Sequence, residues 1–481
     1  MTKGTGLAGM ESKLWMAADK LRGSIAPTRY KDIVLGILFL KYISDREKRD
    51  ENKRPKSFRV PEEARWTYIM ERADTAEIGF TLDEAFRAIE RGNKRLSGVL
   101  PIRYSGEELD PRRIGEVVAV IDSFDTLTIE EDALGRVYEY FLGKFASLLG
   151  QGDGEFYTPD GVVKLLVEMI GPVSGTLYDP CCGSGGMLVQ ASRAVQAQSG
   201  RISNLSVFGQ EMNAATRRLA IMNLTVRGVE ADLGRTNGDT LRADQFMDRK
   251  FDNILANPPF NVSDWGQESL LEDPRWQWGV PAKGNANYAW LSHTLAKLAP
   301  SGVAGIVLAN GSLTSRISGE GDLRREMIER DKVDCIVSLP DKLFYTTGIP
   351  VSLWLFRNGK RRKGEVLFLD ARSRGTMVNR KLRELEETDI GEIAGAYHRW
   401  LADCKYQDKA GWCKSASIAD IRERDYLLTP ARYVGVKETE EGEPFGEKMD
   451  KLVAELAELM SQTPILDERI KKSLRAIGYE L

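Results

Sequence analysis

The chain has 481 residues, which is too long for one compact core, so two or three domains are expected. Its hydrophobic content of 42% and charged content of 29% are those of an ordinary soluble protein. The net charge of −3 is not typical of a protein that binds nucleic acid by itself over a large surface. It leaves room for a protein that binds DNA through a local basic cleft or through a basic partner.

Cysteine and histidine usage indicates neither a disulfide framework nor a zinc site. The number of cysteines is odd, no two of them form a C-x-x-C pair, and the two histidines are far apart in sequence. The N-terminus lacks an apolar signal segment, and no apolar run reaches membrane-spanning length. We therefore expect a protein of a reducing compartment, the cytoplasm, with no bound metal and no membrane association.

The N-terminal part of the chain is predicted to be helical. Apolar residues recur at three- and four-residue spacing in "LWMAADKLRG" and "YKDIVLGILFLKYISDREK", with Pro27 between them. "TLDEAFRAIERG" and "GRVYEYFLGKFASLLG" continue the pattern, and few strand signals precede residue 150. We expect an all-helical domain over residues 1–135, whose plainest role is packing or docking.

Beyond residue 150, short apolar segments alternate with helical ones. Such alternation predicts a doubly wound α/β domain with a largely parallel sheet, and ligands of that architecture bind at the carboxyl ends of the strands. We assign the domain to residues 136–438. Its seven predicted strands are "GTLYDP", "SVFGQEM", "GRTNGD", "DNILANP", "VAGIVLAN", "DCIVSLP" and "SLWLFR".

From about residue 372 the chain is predicted to be mostly helical and charged again. An acidic linker, "KETEEGEPFGEK", leads into a last helix, and residues 439–481 form the predicted C-terminal tail. One face of that helix is apolar, which fits a surface helix that packs on its own domain or a helix that docks on a partner. The apolar residues are Met449, Leu452, Val453, Leu456, Leu459 and Met460.

The first motif with chemical meaning is the glycine-rich turn "DPCCGSGGML", which begins at Asp179 and follows a predicted strand. Gly183, Gly185 and Gly186 allow the backbone to approach a ligand closely before a helix begins. The turn is not G-x-G-x-x-G and has no Walker lysine, so phosphate binding is poorly supported. By itself it is equally compatible with a simple tight turn.

Two acidic residues follow the next two predicted strands. Glu211 in "FGQEMN" could accept two hydrogen bonds from a ribose diol, as the acid of nucleotide-binding folds does. Asp239 in "NGDT" could receive an adenine amino group. The plainer interpretation of Glu211 is a solvated carboxylate at a strand end, and that of Asp239 is a turn residue. These residues by themselves do not decide between the binding roles and the plainer ones.

The fourth motif is "NPPF", which ends the strand of "FDNILANPPF". Two prolines cannot continue a sheet, because they lack the N–H that a ladder needs. The Asn257 side-chain oxygen and the Pro258 carbonyl could both accept hydrogen bonds from a planar amino group. Pro259 stiffens the turn, and Phe260 could stack on a base. Four motifs in this order, each at a strand end, are far more specific than any one alone.

Together these motifs resemble the amino-group DNA methyltransferases that use S-adenosylmethionine, and most closely the modification (M) subunits of type I restriction–modification systems. The resemblance covers nearly the whole chain, from "LRG" and "YKDIVLGILFLKYISD" to "YLLTPARYV". It implies a class I methyltransferase fold, which is a Rossmann-like domain with a mostly parallel seven-stranded sheet. A helical N-terminal domain would precede that domain and a C-terminal helical tail would follow it.

The resemblance also assigns roles to residues. "GEFYTP" is similar to the segment that closes over the methionine part of the cofactor. Cys181 and Cys182 stand where small residues such as Thr or Ala are also usual, and Asn287 stands where an acid is commoner. The implied catalytic residues are Asn257, Pro258, Pro259 and Phe260. The implied cofactor-binding residues are Glu155, Phe156, Tyr157, Thr158, Pro159, Asp179, Gly183, Ser184, Gly185, Gly186, Glu211 and Asp239.

The implied reaction is methyl transfer to N6 of adenine in double-stranded DNA. An exocyclic amino nitrogen is a poor nucleophile, because its lone pair is delocalised into the ring. Two acceptors, Asn257 Oδ1 and the Pro258 carbonyl, would draw its hydrogens out of plane without a covalent intermediate. The target must leave the duplex, so base flipping is implied. A cytosine C5 enzyme needs a thiolate beside proline, whereas Cys181 and Cys182 lie in the cofactor loop.

The implied partners follow from what the chain lacks. Reading DNA sequence needs side chains presented into a groove, and no recognition domain of the required size is evident. In type I systems a separate specificity (S) subunit reads the DNA and binds two M subunits, and a restriction (R) subunit can join them. We therefore expect DNA, an S subunit and a second M subunit as partners in a bacterial or archaeal cell.

Two other function classes stay open at this point. One is a stand-alone methyltransferase of protein glutamine or RNA, because "NPP" tetrads also act on planar amides. The other is a scaffold of a DNA complex that has lost activity. The N-terminal resemblance disfavours the first, and the intact tetrad and glycine turn disfavour the second.

Overall fold

A computed structural model describes residue 15 and residues 27–49, 59–123, 158–199 and 204–436, together with scattered positions from 449 to 475. Single gaps fall at 107, 173 and 381, and a longer one at 345–347. The chain divides into two units, Met1–Val434 and Gly435–Leu481, and each is described by itself. No helix of the described residues is long and apolar enough to cross a membrane.

The N-terminal segment is helical, as expected. The helices are α1 (Pro27–Arg49), α2 (Trp66–Met70), α3 (Ile78–Gly92) and α4 (Pro111–Asp122). In α3, Leu82, Phe86 and Ile89 are fully buried at four- and three-residue spacing. Helix α4 begins where the Asp110 side chain accepts a hydrogen bond from Arg112 N at 3.0 Å. The predicted helix "GRVYEYFLGKFASLLG" lies outside the described residues.

A nine-stranded mixed sheet forms the centre of the first unit, in the order β11-β8-β6-β7-β5-β4-β1-β2-β3. Most neighbours are parallel, whereas β7 runs antiparallel between β5 and β6, and β11 runs antiparallel to β8 at one edge. The strands are β1 (Gly175–Asp179), β2 (Leu205–Gly209), β3 (Ala231–Asp232), β4 (Phe251–Ala256), β5 (Leu298–Ala309), β6 (Val333–Ser338), β7 (Val351–Arg357), β8 (Glu365–Asp370) and β11 (Cys413–Ser417). A separate antiparallel pair comprises β9 (Thr376–Met377) and β10 (Arg383–Glu384).

Helices cover both faces of the sheet. Along β4 the side chains alternate: Leu255 belongs to one apolar cluster, and Ile254 and Ala256 belong to another. This burial on two faces is typical of a doubly wound fold and confirms the expected fold class. The helices are α5 (Asp160–Ile170), α6 (Gly186–Ser199), α7 (Ala214–Val226), α8 (Asn287–Lys297), α9 (Glu320–Glu329), α10 (Glu387–Leu401), α11 (Ile418–Glu423) and α12 (Ala431–Val434).

Two strand assignments differ from the expectation. Among the described residues the sheet has nine strands instead of the seven predicted, because β8 and β11 extend one edge. The segment "GRTNGD" is a loop, and the strand in its neighbourhood is only β3. Those six residues offer no apolar side chain to bury, and Gly234 has a left-handed φ of 72°.

Helix α7 packs against both the sheet and the N-terminal helices. Its residues Leu219, Met222 and Val226 belong to the apolar core of the N-terminal segment. The Tyr42 hydroxyl donates to the Val226 carbonyl at 2.7 Å in a buried contact. The N-terminal helices are therefore attached to an element that begins immediately after Glu211.

The second unit is helical at its described positions from 449 to 475. Leu459 lies outside the described residues. The other five residues of the predicted apolar face are between 40% and 65% exposed. The choice between local packing and partner docking therefore remains a matter of prediction.

Candidate active site

The sheet brings three of the predicted motifs to one edge. Strands β4, β1 and β2 are neighbours and run parallel, so their carboxyl ends lie side by side. The glycine turn follows β1, Glu211 follows β2, and Asn257 follows β4. This is the edge at which ligands of doubly wound folds bind.

The glycine turn is held in place from two sides. Gly183 N donates to Glu211 Oε2 at 3.0 Å, and Asn223 Nδ2 of α7 donates to the Ser184 carbonyl at 2.9 Å. Gly183 and Gly185 have φ of 55° and 80°, which side chains with a Cβ rarely adopt. The glycines are therefore required by the shape of the turn before helix α6 begins at Gly186.

Glu211 is oriented by backbone donors. Besides the contact with Gly183, its Oε1 accepts from Asn213 N at 2.7 Å, where Asn213 caps the start of α7. Asp239 lies in the loop that follows β3, and its Oδ1 accepts from Leu241 N at 2.9 Å. The Gly238 N–H donates to the Glu211 carbonyl at 3.0 Å, so the two predicted acids are neighbours.

Asp179 is a fully buried carboxyl group at the end of β1. Its Oδ1 accepts from Cys181 N at 3.0 Å, while Oδ2 is buried without a hydrogen-bond partner among the described residues. Burial, together with the charge of Glu211, raises its pKa to about 7 against the opposing effect of the hydrogen bond from the Cys181 N–H. The turn therefore contains an acid without a neutralising cation in the described chain.

Asn257 is 6% exposed and presents one unused acceptor. Its Nδ2 donates to Thr158 Oγ1 at 2.8 Å, and its Oδ1 is buried with no partner in the part of the chain that the structure describes. A buried carbonyl-type oxygen without a donor is costly, because it has lost its water. Such an atom is suited to receive a donor from a ligand.

The remaining residues of the tetrad form the wall beside Asn257. Pro258 is buried, whereas Pro259 and Phe260 are half-buried. The Phe260 ring meets Phe344 edge-on, with ring centroids 5.8 Å apart. Phe344 was not singled out from the sequence. The available signal was its place just after "DCIVSLP", a predicted strand whose carboxyl end lies at the same edge.

One open pocket joins the turn to the tetrad. Of the predicted site residues, Thr158, Gly183, Ser184, Gly186 and Asn257 line it, whereas Pro159, Asp179, Gly185, Glu211, Asp239 and the rest of the tetrad are not part of its lining. Glu155, Phe156 and Tyr157 lie outside the described residues. The pocket is lined by Thr158, Asp160, Val163, Cys181, Cys182, Gly183, Ser184, Gly186, Met187, Gln190 and Asn257.

Asn287 anchors the chain just beyond the tetrad. Asn261 has a left-handed φ of 55°, and its N–H donates to Asn287 Oδ1 at 3.0 Å. Asn287 Nδ2 donates in return to Asn261 Oδ1 at 2.9 Å, and Asn287 is 2% exposed. An aspartate would accept the same bond from Asn261 N, so asparagine preserves the part of the contact that an acid would make.

Comparisons with known proteins identify the family of the chain. The family model for N-6 DNA methylases matches residues 129–442, and the HsdM N-terminal domain model matches residues 10–121. The chain is 44% identical to the type I restriction enzyme HindI methylase subunit of Haemophilus influenzae, over 83% of this chain and 92% of that protein. The chain belongs to the family of type I restriction–modification methylase subunits. The resemblance noted from the motifs is thereby confirmed.

Other relatives of this M subunit extend over similar lengths. The MjaIX methylase subunit of Methanocaldococcus jannaschii is 36% identical over 98% of this chain and 91% of its own length. A crystal structure of a type I methyltransferase subunit from Streptococcus thermophilus is 27% identical, with a TM-score of 0.76, and covers 89% of this chain and 99% of that one. Membership confirms the expected enzyme class, an adenine-specific DNA methyltransferase, and family and fold imply the use of S-adenosylmethionine.

Proposed function

We propose that this chain methylates N6 of adenine in double-stranded DNA with S-adenosylmethionine, as the M subunit of a complex whose S subunit selects the site. The observation that carries the proposal is the Oδ1 of Asn257, which is buried without a partner among the described residues and belongs to a residue that lines the same pocket as the glycine turn. An amino group brought to this oxygen would satisfy it and be aligned beside the methyl donor.

The chemistry assigned to the tetrad is acceptance of two hydrogen bonds. The adenine amino group has two hydrogens, and Asn257 Oδ1 would accept one of them. The Pro258 carbonyl would accept the other, and no described residue donates to it. Because both acceptors belong to a rigid Asn-Pro-Pro segment, they need no rearrangement as charge develops on the nitrogen.

The cofactor would occupy the pocket beside the glycine turn. When bound, S-adenosylmethionine supplies a methyl group on a positively charged sulfur. The buried Asp179 has no cation near it in the described chain, so a cationic ligand would favour its ionised form. Glu211 would accept from the ribose hydroxyls and Asp239 from the adenine amino group, and Glu155 to Pro159 would cover the methionine part.

The target base would enter the pocket from outside the duplex. An adenine stacked in the duplex cannot present its amino group to a recessed asparagine. The reaction therefore requires base flipping. The half-buried ring of Phe260 would serve as the stacking surface. Pro259 is assigned to holding that ring relative to Asn257.

Partners supply the selection of sequence. A net charge of −3 is consistent with a catalytic chain that shares the binding of DNA with another subunit. We propose an assembly of two M subunits and one S subunit, to which an R subunit can add, in the cytoplasm of a bacterial or archaeal cell. The domains assigned to residues 1–135, 136–438 and 439–481 would carry docking, catalysis and S binding.

The test uses the chain together with its S subunit and DNA from cells that lack the system. Asn257→Ala should lower methyl incorporation at least about 100-fold, because one acceptor of the reacting amino group is lost. Its affinity for S-adenosylmethionine, measured by calorimetry, should stay within about twofold, because the variant leaves the glycine turn intact.

Asn253→Ala is the matched control, since Asn253 is also a buried amide but lies within β4 and donates to the Ser174 and Thr176 carbonyls. It should methylate normally. A wild-type rate in Asn257→Ala would overturn the catalytic assignment. Transfer to RNA or to a protein glutamine instead of DNA would favour the other substrate classes.

A further inference from the structure

Gln210 is a fully buried amide between two of the predicted cofactor-binding acids. It follows β2 and directly precedes Glu211. Its Nε2 donates to the Gly238 carbonyl at 3.1 Å and to the Ala243 carbonyl at 2.8 Å, and its Oε1 accepts from Gln245 N at 3.1 Å. The side chain therefore spans from the end of β2 to the loop that contains Asp239.

The main chain of Gln210 ties in the glycine turn as well. Its N–H donates to the Asp179 carbonyl at 3.0 Å, and its carbonyl accepts from Cys182 N at 2.9 Å. One residue thus contacts the glycine turn through its backbone, the Asp239 loop through its side chain, and Glu211 through the peptide bond.

The Asp239 loop has no strand of its own. Residues 233–250 are described and contain neither helix nor strand, so no ladder aligns them with β2. Both amide donors of Gln210 and one lone pair of its acceptor are used on this loop. Loss of the amide would leave two carbonyls and one N–H of the loop without these partners in a part-buried place, and a shift of the loop would relieve that cost.

We propose that Gln210 is a positioning residue that sets the separation of Glu211 and Asp239, and thereby the affinity for the adenosyl part of S-adenosylmethionine. The inference rests on the proposed function, in which those two acids bind ribose and adenine. Gln210 itself touches no ligand in this scheme, because its side chain is consumed by the loop.

The test compares ligand affinity with turnover in Gln210→Leu, which removes every hydrogen bond of the amide at similar volume. Dissociation constants for S-adenosylmethionine and S-adenosylhomocysteine should both rise at least about tenfold, the equivalent of one or two hydrogen bonds. The rate at saturating S-adenosylmethionine should stay within about threefold, because Asn257 and Pro258 are unaffected.

Asn253→Leu is the matched control, because it also removes a buried amide that donates to two backbone carbonyls, but at the amino end of the strands. It should lower Tm without changing either dissociation constant. If Gln210→Leu does not fold, Gln210→Met carries the test, since methionine keeps the unbranched shape of glutamine, adds no charge and lacks both donors to the Gly238 and Ala243 carbonyls.

The outcomes separate the inference from the function on which it rests. Unchanged affinity in the Gln210 variants would overturn the inference, and so would an equal loss of affinity in Asn253→Leu. A wild-type chain that bound S-adenosylmethionine but left DNA unmethylated in the presence of S would overturn the proposed function instead. A loss of turnover at saturating cofactor, with affinity intact, would likewise reject the positioning role.

Discussion

The side-chain amide of Asn257 faces Thr158 with Nδ2, which donates to Thr158 Oγ1 at 2.8 Å. With Nδ2 committed, Oδ1 is the atom left for a ligand, and it is buried without a partner among the described residues. Thr158 precedes α5, so a residue far away in sequence orients the side chain assigned to catalysis.

Thr158→Val should therefore lower the methylation rate about fivefold, because the amide loses an orienting hydrogen bond worth about 1 kcal/mol. Valine has nearly the shape of threonine but cannot accept from Asn257 Nδ2. The rate at saturating DNA and cofactor is the measurement. Thr158→Ser keeps the hydroxyl and should retain the wild-type rate. Equal rates in the valine and serine variants would contradict the role of this contact.

Asn287→Asp should keep the methylation rate within about threefold, because a carboxylate still accepts from Asn261 N and the Asn261 amide can rotate to donate to it. Asn287→Leu should lower the rate about tenfold, since the strained left-handed residue after the tetrad would lose its anchor. The methylation rates of both variants are measured at saturating DNA and S-adenosylmethionine. An aspartate variant as slow as the leucine variant would show that the reciprocal donation from Asn287 matters more.

Asp179 should make the ligand-free protein less stable as the pH rises. Its pKa is about 7 when folded, above the ordinary value of 3.8, so unfolding releases a proton between these two values. The loss of folding free energy from Asp179 is absent below pH 3.8, grows as the pH rises, and is complete above about pH 7.

Asp179→Asn should accordingly raise Tm at pH 8 relative to wild type and narrow the difference in Tm between pH 5 and pH 8. Thermal unfolding at the two pH values provides the measurement. Added S-adenosylmethionine should stabilise wild type more than the variant at pH 8, because a cation favours the charged carboxylate. A variant whose Tm falls in parallel with wild type would rule out Asp179 as the source.

A buried ion pair braces the far end of the Asp239 loop. Lys297 Nζ lies 2.7 Å from Asp244 Oδ2, the two side chains are 3% and 6% exposed, and Lys297 also donates to the Phe246 carbonyl. Lys297→Met should destabilise the protein by about 3–5 kcal/mol, because Asp244 is left as an unpaired buried charge.

Denaturant unfolding measures this loss, and the double variant Asp244→Asn with Lys297→Met should recover part of it. The exposed pair Lys283–Glu268 offers the comparison, and Lys283→Met should leave the unfolding midpoint unchanged. A Lys297→Met protein as stable as wild type would show that water reaches Asp244.

The proximity of the motifs in space was predictable because of a general property of parallel sheets. Carboxyl ends of neighbouring parallel strands lie at one edge, so residues after β1, β2 and β4 had to meet. The proline pair made the end of β4 unambiguous, and the long apolar periodicity identified the N-terminal helices. These signals are local, and each can be read within one segment.

The loop from 233 to 250 was not predictable for the opposite reason. "GRTNGD" has no apolar pattern, and the loop receives hydrogen bonds at its Gly238 and Ala243 carbonyls from the Gln210 amide, which comes from a different strand end. Strand β11 was missed because "CKSAS" is polar and pairs only at the sheet edge. Hydrogen bonds to distant partners leave no periodic trace in a sequence.

By itself the sequence determined the fold class, the family and the residue types at the strand ends, since periodicity, proline and glycine act within a few residues. Only the tertiary structure decided that Thr158 faces Asn257, that Asn287 holds Asn261, and that Asn257 Oδ1 is buried without a described partner. Those three results depend on which distant side chains come within hydrogen-bonding distance. That is a consequence of how the strands and helices pack.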